Sequence, residues 1–165
     1  MTIPAPASLA ETLQLVVGWR RHLHANPELS FHENETSAFV ERTLREMGGL
    51  EVSKPTPTSV VARLLTGRPG PVLALRADMD ALPITEETRL EFASMNAGVM
   101  HACGHDGHTA MLLGAVRELL ARRDLDDVRA VRERELEHLF DPQRALDLDH
   151  DQAWALVERE ARGLE

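Results

Sequence analysis

One cysteine, Cys103, stands in the 165 residues, so no internal disulfide can form and nothing in the thiol content asks for an oxidising compartment. Basic runs are missing too. Against 27 Asp and Glu there are 18 Lys and Arg, a formal charge of −9, which argues against a general nucleic-acid surface. No stretch approaches the ~20 apolar residues that a membrane span needs, and the first seven residues lack the basic-then-apolar order of an export signal. The expectation is a soluble cytoplasmic protein with neither membrane nor nucleic acid as a partner. Internal repeats and low-complexity tracts are absent as well. A chain of this length makes one domain that buries roughly two-thirds of its unfolded surface.

What is present begins as helix. Ser8 can cap a run to His24, with Glu11 completing a capping box and Leu9, Leu13, Val16, Val17 and Leu23 near helical spacing. Pro27 ends it, and residues 26–31 read as a turn. A second amphipathic helix is predicted from Asn34 to Met47, stopped by Gly48-Gly49. The texture then turns extended: short strands at Leu50 to Ser53 and Val60 to Leu65, and a turn at 67–71. Next comes an almost wholly apolar strand from Val72 to Arg76, as a central strand covered on both faces would be. That strand runs into Asp78 and Asp80, and open α/β sheets place their ligand sites beyond the carboxyl ends of strands. From Thr109 to Arg123 the chain is apolar on most of its circumference, predicting a buried helix on a sheet.

Past Arg123 the composition changes. Residues 124–165 hold 13 acidic and 6 basic side chains, −7 of the total −9. Val128 to Phe140 and His150 to Arg162 suit charged surface helices, and no strand-like segment follows Arg123. The expected division is 1–124 and 125–165, the second part a charged helical tail.

Chemistry concentrates in residues 101–108, His-Ala-Cys-Gly-His-Asp-Gly-His. Cys thiolate and His imidazole are preferred ligands of zinc and its neighbours, and the spacing of Cys103 and His105 lets a bent loop aim both at one ion. Gly104 and Gly107 supply freedom for the bend, and the following helix start would favour a thiolate or a bound carboxylate. The tripeptide alone reads more readily as a buried cysteine beside a surface histidine; His101, Asp106, His108, Asp78 and Asp80 bring a metal role level with that reading.

Four segments carry a resemblance to a known family: residues 20–31, residues 74–84 (Ala-Leu-Arg-Ala-Asp-Met-Asp-Ala-Leu-Pro-Ile), Glu86-Glu87-Thr88, and residues 98–114 around the octapeptide. Over residues 18–123 the chain resembles the N-terminal part of the metal-dependent amidohydrolase and peptidase family that includes hippurate hydrolase, aminoacylases and indole-acetyl-amino-acid hydrolases. The resemblance implies an α/β fold, an incomplete zinc-peptidase-like catalytic domain with helices packed on a mixed sheet. It implies a two-metal site, zinc or manganese, that hydrolyses the amide bond of an N-acyl amino acid or a small peptide-like substrate. Cys103 and His105 match the metal ligands, and Asp80 matches a carboxylate that orients ligands. Asp78, Asp106 and His108 match motif positions with supporting roles.

The family's carboxylate pair, a general base followed by a further ligand, has no counterpart after Arg123, and Glu86-Glu87 matches a different segment. His138 and His150 fall in no family motif and read as surface histidines. A truncated gene, a frameshift or a fusion would each produce such a chain. Two functions follow: an amidohydrolase by descent that is weakly active or inactive alone, or a non-catalytic single-metal binding module acting with a partner. The oligomeric state is open.

Overall fold

The structure, a computed structural model, describes residues 9–65, 67 and 72–122. Their element order is α1 (Leu9–Ala25), α2 (Asn34–Met47), β1 (Glu51–Ser53), β2 (Val61–Arg63) and α3 (His105–Arg122). Ser8 and the tail helices expected beyond Arg123 lie outside the described residues, as does most of the 67–71 turn.

The first two helices fall where the periodicity puts them. The residue before α2, Glu33, makes no side-chain cap. The work is done from the preceding turn: the Glu28 carboxylate accepts the amides of Glu35 (3.2 Å) and Thr36 (2.8 Å), satisfying two orphan donors and complementing the helix dipole. At the other end Gly48, at φ +69°, donates its amide to Arg45 O (3.1 Å), the left-handed stop that glycine makes at no steric cost. The short strands pair antiparallel, Val52 opposite Ala62.

Helix α3 starts at His105, four residues before the predicted Thr109, so the second half of the octapeptide is its first turn. Its buried positions are Asp106, Thr109, Ala110, Leu113 and Gly114, the i, i+3, i+4, i+7, i+8 spacing of one helical stripe. That stripe packs largely on α1, and not on the sheet that the apolar sequence suggested. Between the two helices, buried Thr12 donates to Glu118 Oε1 (2.6 Å) and accepts from Arg117 Nε (3.2 Å). Val40 and Leu44 of α2 meet Leu113 in the apolar core, with Trp19, Phe39, Met79 and Val116 around it.

The Val72 to Arg76 expectation is corrected. This segment is extended but pairs in no ladder among the described residues, and Val72, Leu73 and Leu75 are 94%, 60% and 41% exposed. A strand exists only by pairing. An apolar run reports that burial on both faces would be favourable, not that the cover is supplied. The mixed sheet is likewise reduced, among the described residues, to β1–β2 plus two isolated bridges, Leu29 with Ala81 (parallel) and Leu82 with Met100 (antiparallel). The end of the segment is still fixed, by the first bridge, in which Ala81 N–H donates to Glu28 O (2.7 Å), and by a side-chain bond from α3, in which Thr109 Oγ1 donates to Asp78 O (3.0 Å).

Two glycines test the helix packing. A Cβ on Gly114 would lie 2.5 Å from Val16 Cγ2, whereas one on Gly18 would meet nothing within 4 Å among the described residues. Gly114→Val should therefore destabilise the chain by about 1–3 kcal/mol through overpacking. Gly18→Ala should stabilise it by roughly 0.5–1 kcal/mol through helix propensity. Urea titration of both variants checks the pair.

Candidate metal centre

The octapeptide bends where the sequence allows it. Gly104 takes φ +92°, and its carbonyl accepts the amides of Gly107 (3.0 Å) and His108 (3.1 Å) as α3 begins. Gly107 serves differently from expected. It lies within the first turn of α3, where a Cβ would sit 3.9 Å from Arg20 Nε.

This bend brings Cys103 Sγ to 3.4 Å from His105 Nε2. The other ring nitrogen of His105 faces Asp80, 2.9 Å from Oδ1 and 3.0 Å from its carbonyl oxygen. Both Asp80 atoms are acceptors, so Nδ1 donates to them and Nε2 is the nitrogen left on the side of the thiol. That is the carboxylate–histidine arrangement that orients a metal ligand and raises its basicity. Asp80 is itself fixed by the Ser30 hydroxyl, which donates to Oδ2 (2.5 Å). The Ser30 bond, opposed by burial and helped by Asp80's own amide and by His105, holds the Asp80 carboxyl below its usual range.

Cys103 is exposed and His105 partly covered. The two are the soft and borderline donors that zinc and its neighbours prefer, and they converge, so the pair fits a divalent ion. They are two ligands only: among the described residues no group of three or more His, Cys, Asp or Glu is placed to hold an ion.

The other candidates scatter. The Asp78 carboxylate is taken by Arg76, whose Nε and Nη2 lie 2.9 and 2.7 Å from Oδ1. His108 is exposed, its ring 6.0 Å from that of His105. His101 is 4% exposed, and neither of its ring nitrogens has a hydrogen-bond partner among the described residues. Burial, opposed by the charge of Asp106, pushes its pKa below the usual histidine value, so the ring is neutral.

Asp106 belongs to a second cluster that sequence reasoning missed. It is 1% exposed, and its Oδ2 accepts from His24 Nδ1 (2.8 Å) and Arg20 Nε (3.3 Å), both on α1. The other nitrogen of His24 faces Glu86 Oε1 (3.1 Å). Glu86 in turn accepts the Ser94 amide (2.6 Å) and the Thr88 hydroxyl. Arg20, His24 and Glu86 all lie in segments singled out by resemblance, which was their one signal; no spacing rule joins residues 62 or 82 positions apart.

Burial alone would raise the Glu86 carboxyl; the bonds from Thr88, Ser94 and His24 together outweigh it and leave the pKa below the usual 4.5. A depressed carboxylate contributes stability that is present in full above its unfolded pKa and lost as pH falls through the folded one. The stability gap between the unmodified chain and Glu86→Gln should thus be full above pH 4.5 and close as pH falls below it, as followed by denaturant titration at stepped pH.

Residues 74–142 match the model of peptidase family M20/M25/M40. The chain is 64% identical over 109 residues to an N-acyl-L-amino acid amidohydrolase of Geobacillus stearothermophilus, covering 66% of this chain and 30% of that protein. It is 49% identical over 121 residues to an N-acetyl-L-cysteine deacetylase of Bacillus subtilis, covering 72% of this chain and 29% of the relative. Among solved structures, a Bacillus subtilis protein described as a dinuclear metal-binding peptidase of the M20 family superposes with a TM-score of 0.67 at 44% identity. That match covers 70% of this chain and 33% of the other. The chain thus spans about 30% of the length of these curated relatives. Over residues 74–142 the chain thus matches peptidase family M20/M25/M40, and as a whole it is similar to a part, about 30%, of that family's amidohydrolases and deacetylases.

Proposed function

We propose that the chain supplies half of a metal-dependent amidohydrolase centre acting on N-acyl amino acids, with Cys103 and His105 as ligands to zinc or manganese. The observation that supports this reading most is the 3.4 Å approach of Cys103 Sγ to His105 Nε2 while His105 Nδ1 is committed to Asp80. The names of the relatives, an amidohydrolase and a deacetylase, point to the same substrate class. When bound, a divalent ion in such a centre supplies Lewis acidity and lowers the pKa of water.

The chain's own residues do the positioning. Asp80 holds His105 in the tautomer that presents Nε2, Ser30 holds Asp80, and the bend at Gly104 turns the thiol toward the same point. Two protein ligands fall short of the three that catalytic zinc takes and the four of structural zinc. A general base, worth typically 10²–10⁴-fold, is not among the candidate residues. Alone, the chain should hold an ion weakly and turn over substrate weakly or not at all.

The catalytic part occupies residues 1–124 in this proposal, with 125–165 a separate acidic segment, although the family model's range continues to residue 142. Cytoplasmic residence is proposed on the same footing; no helix among the described residues is long and apolar enough to cross a membrane. The absence of a third ligand among the described residues favours a second reading, a single-metal binding module that works with a partner.

With zinc or manganese added, the full chain should release benzoate from hippurate no faster than Cys103→Ala does. Turnover well above that variant would instead establish a working site. Cobalt(II) titration separates the two ligand roles. The thiolate-to-cobalt absorption band should vanish in Cys103→Ala. In Asp80→Ala its midpoint should move to roughly 10-fold higher cobalt, the usual effect of losing a histidine's orienting carboxylate.

A further inference from the structure

We infer that His24 is a positioning residue, a two-armed brace that ties the loop containing Glu86 to the first turn of α3 and thereby sets the placement of His105. The ring is 4% exposed. Nδ1 faces Asp106 Oδ2 at 2.8 Å, and Nε2 faces Glu86 Oε1 at 3.1 Å. Carboxylate oxygens only accept, so each ring nitrogen must donate, and the ring holds two protons whenever both bonds are made.

Among the described residues the two carboxylates that face the ring, Asp106 and Glu86, have side chains 1% and 4% exposed, while Arg20, 53% exposed, shares Asp106 Oδ2 from the solvent side. Buried carboxylate oxygens are costly unless a donor reaches them, and on both sides of the ring that donor is a His24 nitrogen. The edge of the Phe92 ring closes against His24 at 5.6 Å between centroids and bears no charge of its own.

The two arms reach different pieces of chain. Glu86 closes its own loop through the Ser94 amide, and Met95 N–H fastens that loop to Ala25 O (2.8 Å) on α1. Asp106 is the residue next to His105 in the opening turn of α3. Glu86 and Asp106 are bridged by the His24 ring, so a change at one carboxylate is felt at the other through that ring. The importance of His105 rests on the proposed ligand role. The brace does not, and it is tested without metal.

Histidine-selective long-range ¹H–¹⁵N spectra of the full chain at pH 7 should show one ring with protons on both nitrogens, missing in His24→Gln. A His24 ring with one bare nitrogen would overturn the brace. In the same spectra the His105 signals should move in His24→Gln and stay in place in His22→Gln, whose ring stacks on Phe39 outside the cluster. Unmoved His105 signals in folded His24→Gln would show that His24 positions nothing. Unfolding equilibria of Glu86→Gln, Asp106→Asn and the double variant give a third reading. Their effects should depart from additivity by at least about fivefold, and become additive in the His24→Gln background. Additive effects with His24 in place refute the coupling. Should the variants fail to fold, the ring protonation of the unmodified chain still decides.

Discussion

A carboxylate with 1% exposure at the start of a helix is the constraint on which the rest of this fold depends. Asp106 complements the α3 dipole by its position, but removing it from water is expensive unless cations come to it. Arg20 and His24 do so from α1. The α1–α3 packing is therefore fixed at one end by charge and further along by the close approach of Gly114 to Val16. The orientation of His105 follows, because it occupies the residue before Asp106 and leans on Asp80 across the same junction.

Two polar systems lie side by side without sharing an atom. One is Ser30–Asp80–His105–Cys103, which ends in a pair of metal-competent donors. The other is Arg20–Asp106–His24–Glu86, in which a half-exposed arginine and a buried histidine meet two buried carboxylates, one of them also held by Ser94 and Thr88. The first supplies donor atoms; the second holds the elements that carry them. Nearness in sequence is a poor guide to membership. Asp106 and His105 are adjacent yet belong to different systems, and Asp80 and His105, 25 residues apart, belong to one.

Much of this was legible beforehand. The boundaries of α2 follow from its apolar spacing and the Gly48-Gly49 stop. The proposed ligands follow from residue type, because few side chains other than cysteine and histidine suit zinc. Their convergence follows from a glycine between them. The extended segment at Val72 was not readable, because β structure is a pairwise property and hydropathy describes only one member of the pair. The start of α3 was missed by four residues because His, Asp and Gly carry no apolar periodicity, and the helix there is held by buried polar contacts instead.

By itself the sequence determined α1, α2 and the body of α3, the lineage and the two candidate donor residues, all of which depend on local chemistry and order along the chain. Only the tertiary structure decided that Asp106 and Glu86 are the two ends of a histidine brace, that Asp78 is spent on Arg76, and that His101 is a buried neutral ring. Those roles depend on which distant group arrives at each side chain and on how much water is left there, and neither quantity is written in the spacing of residues.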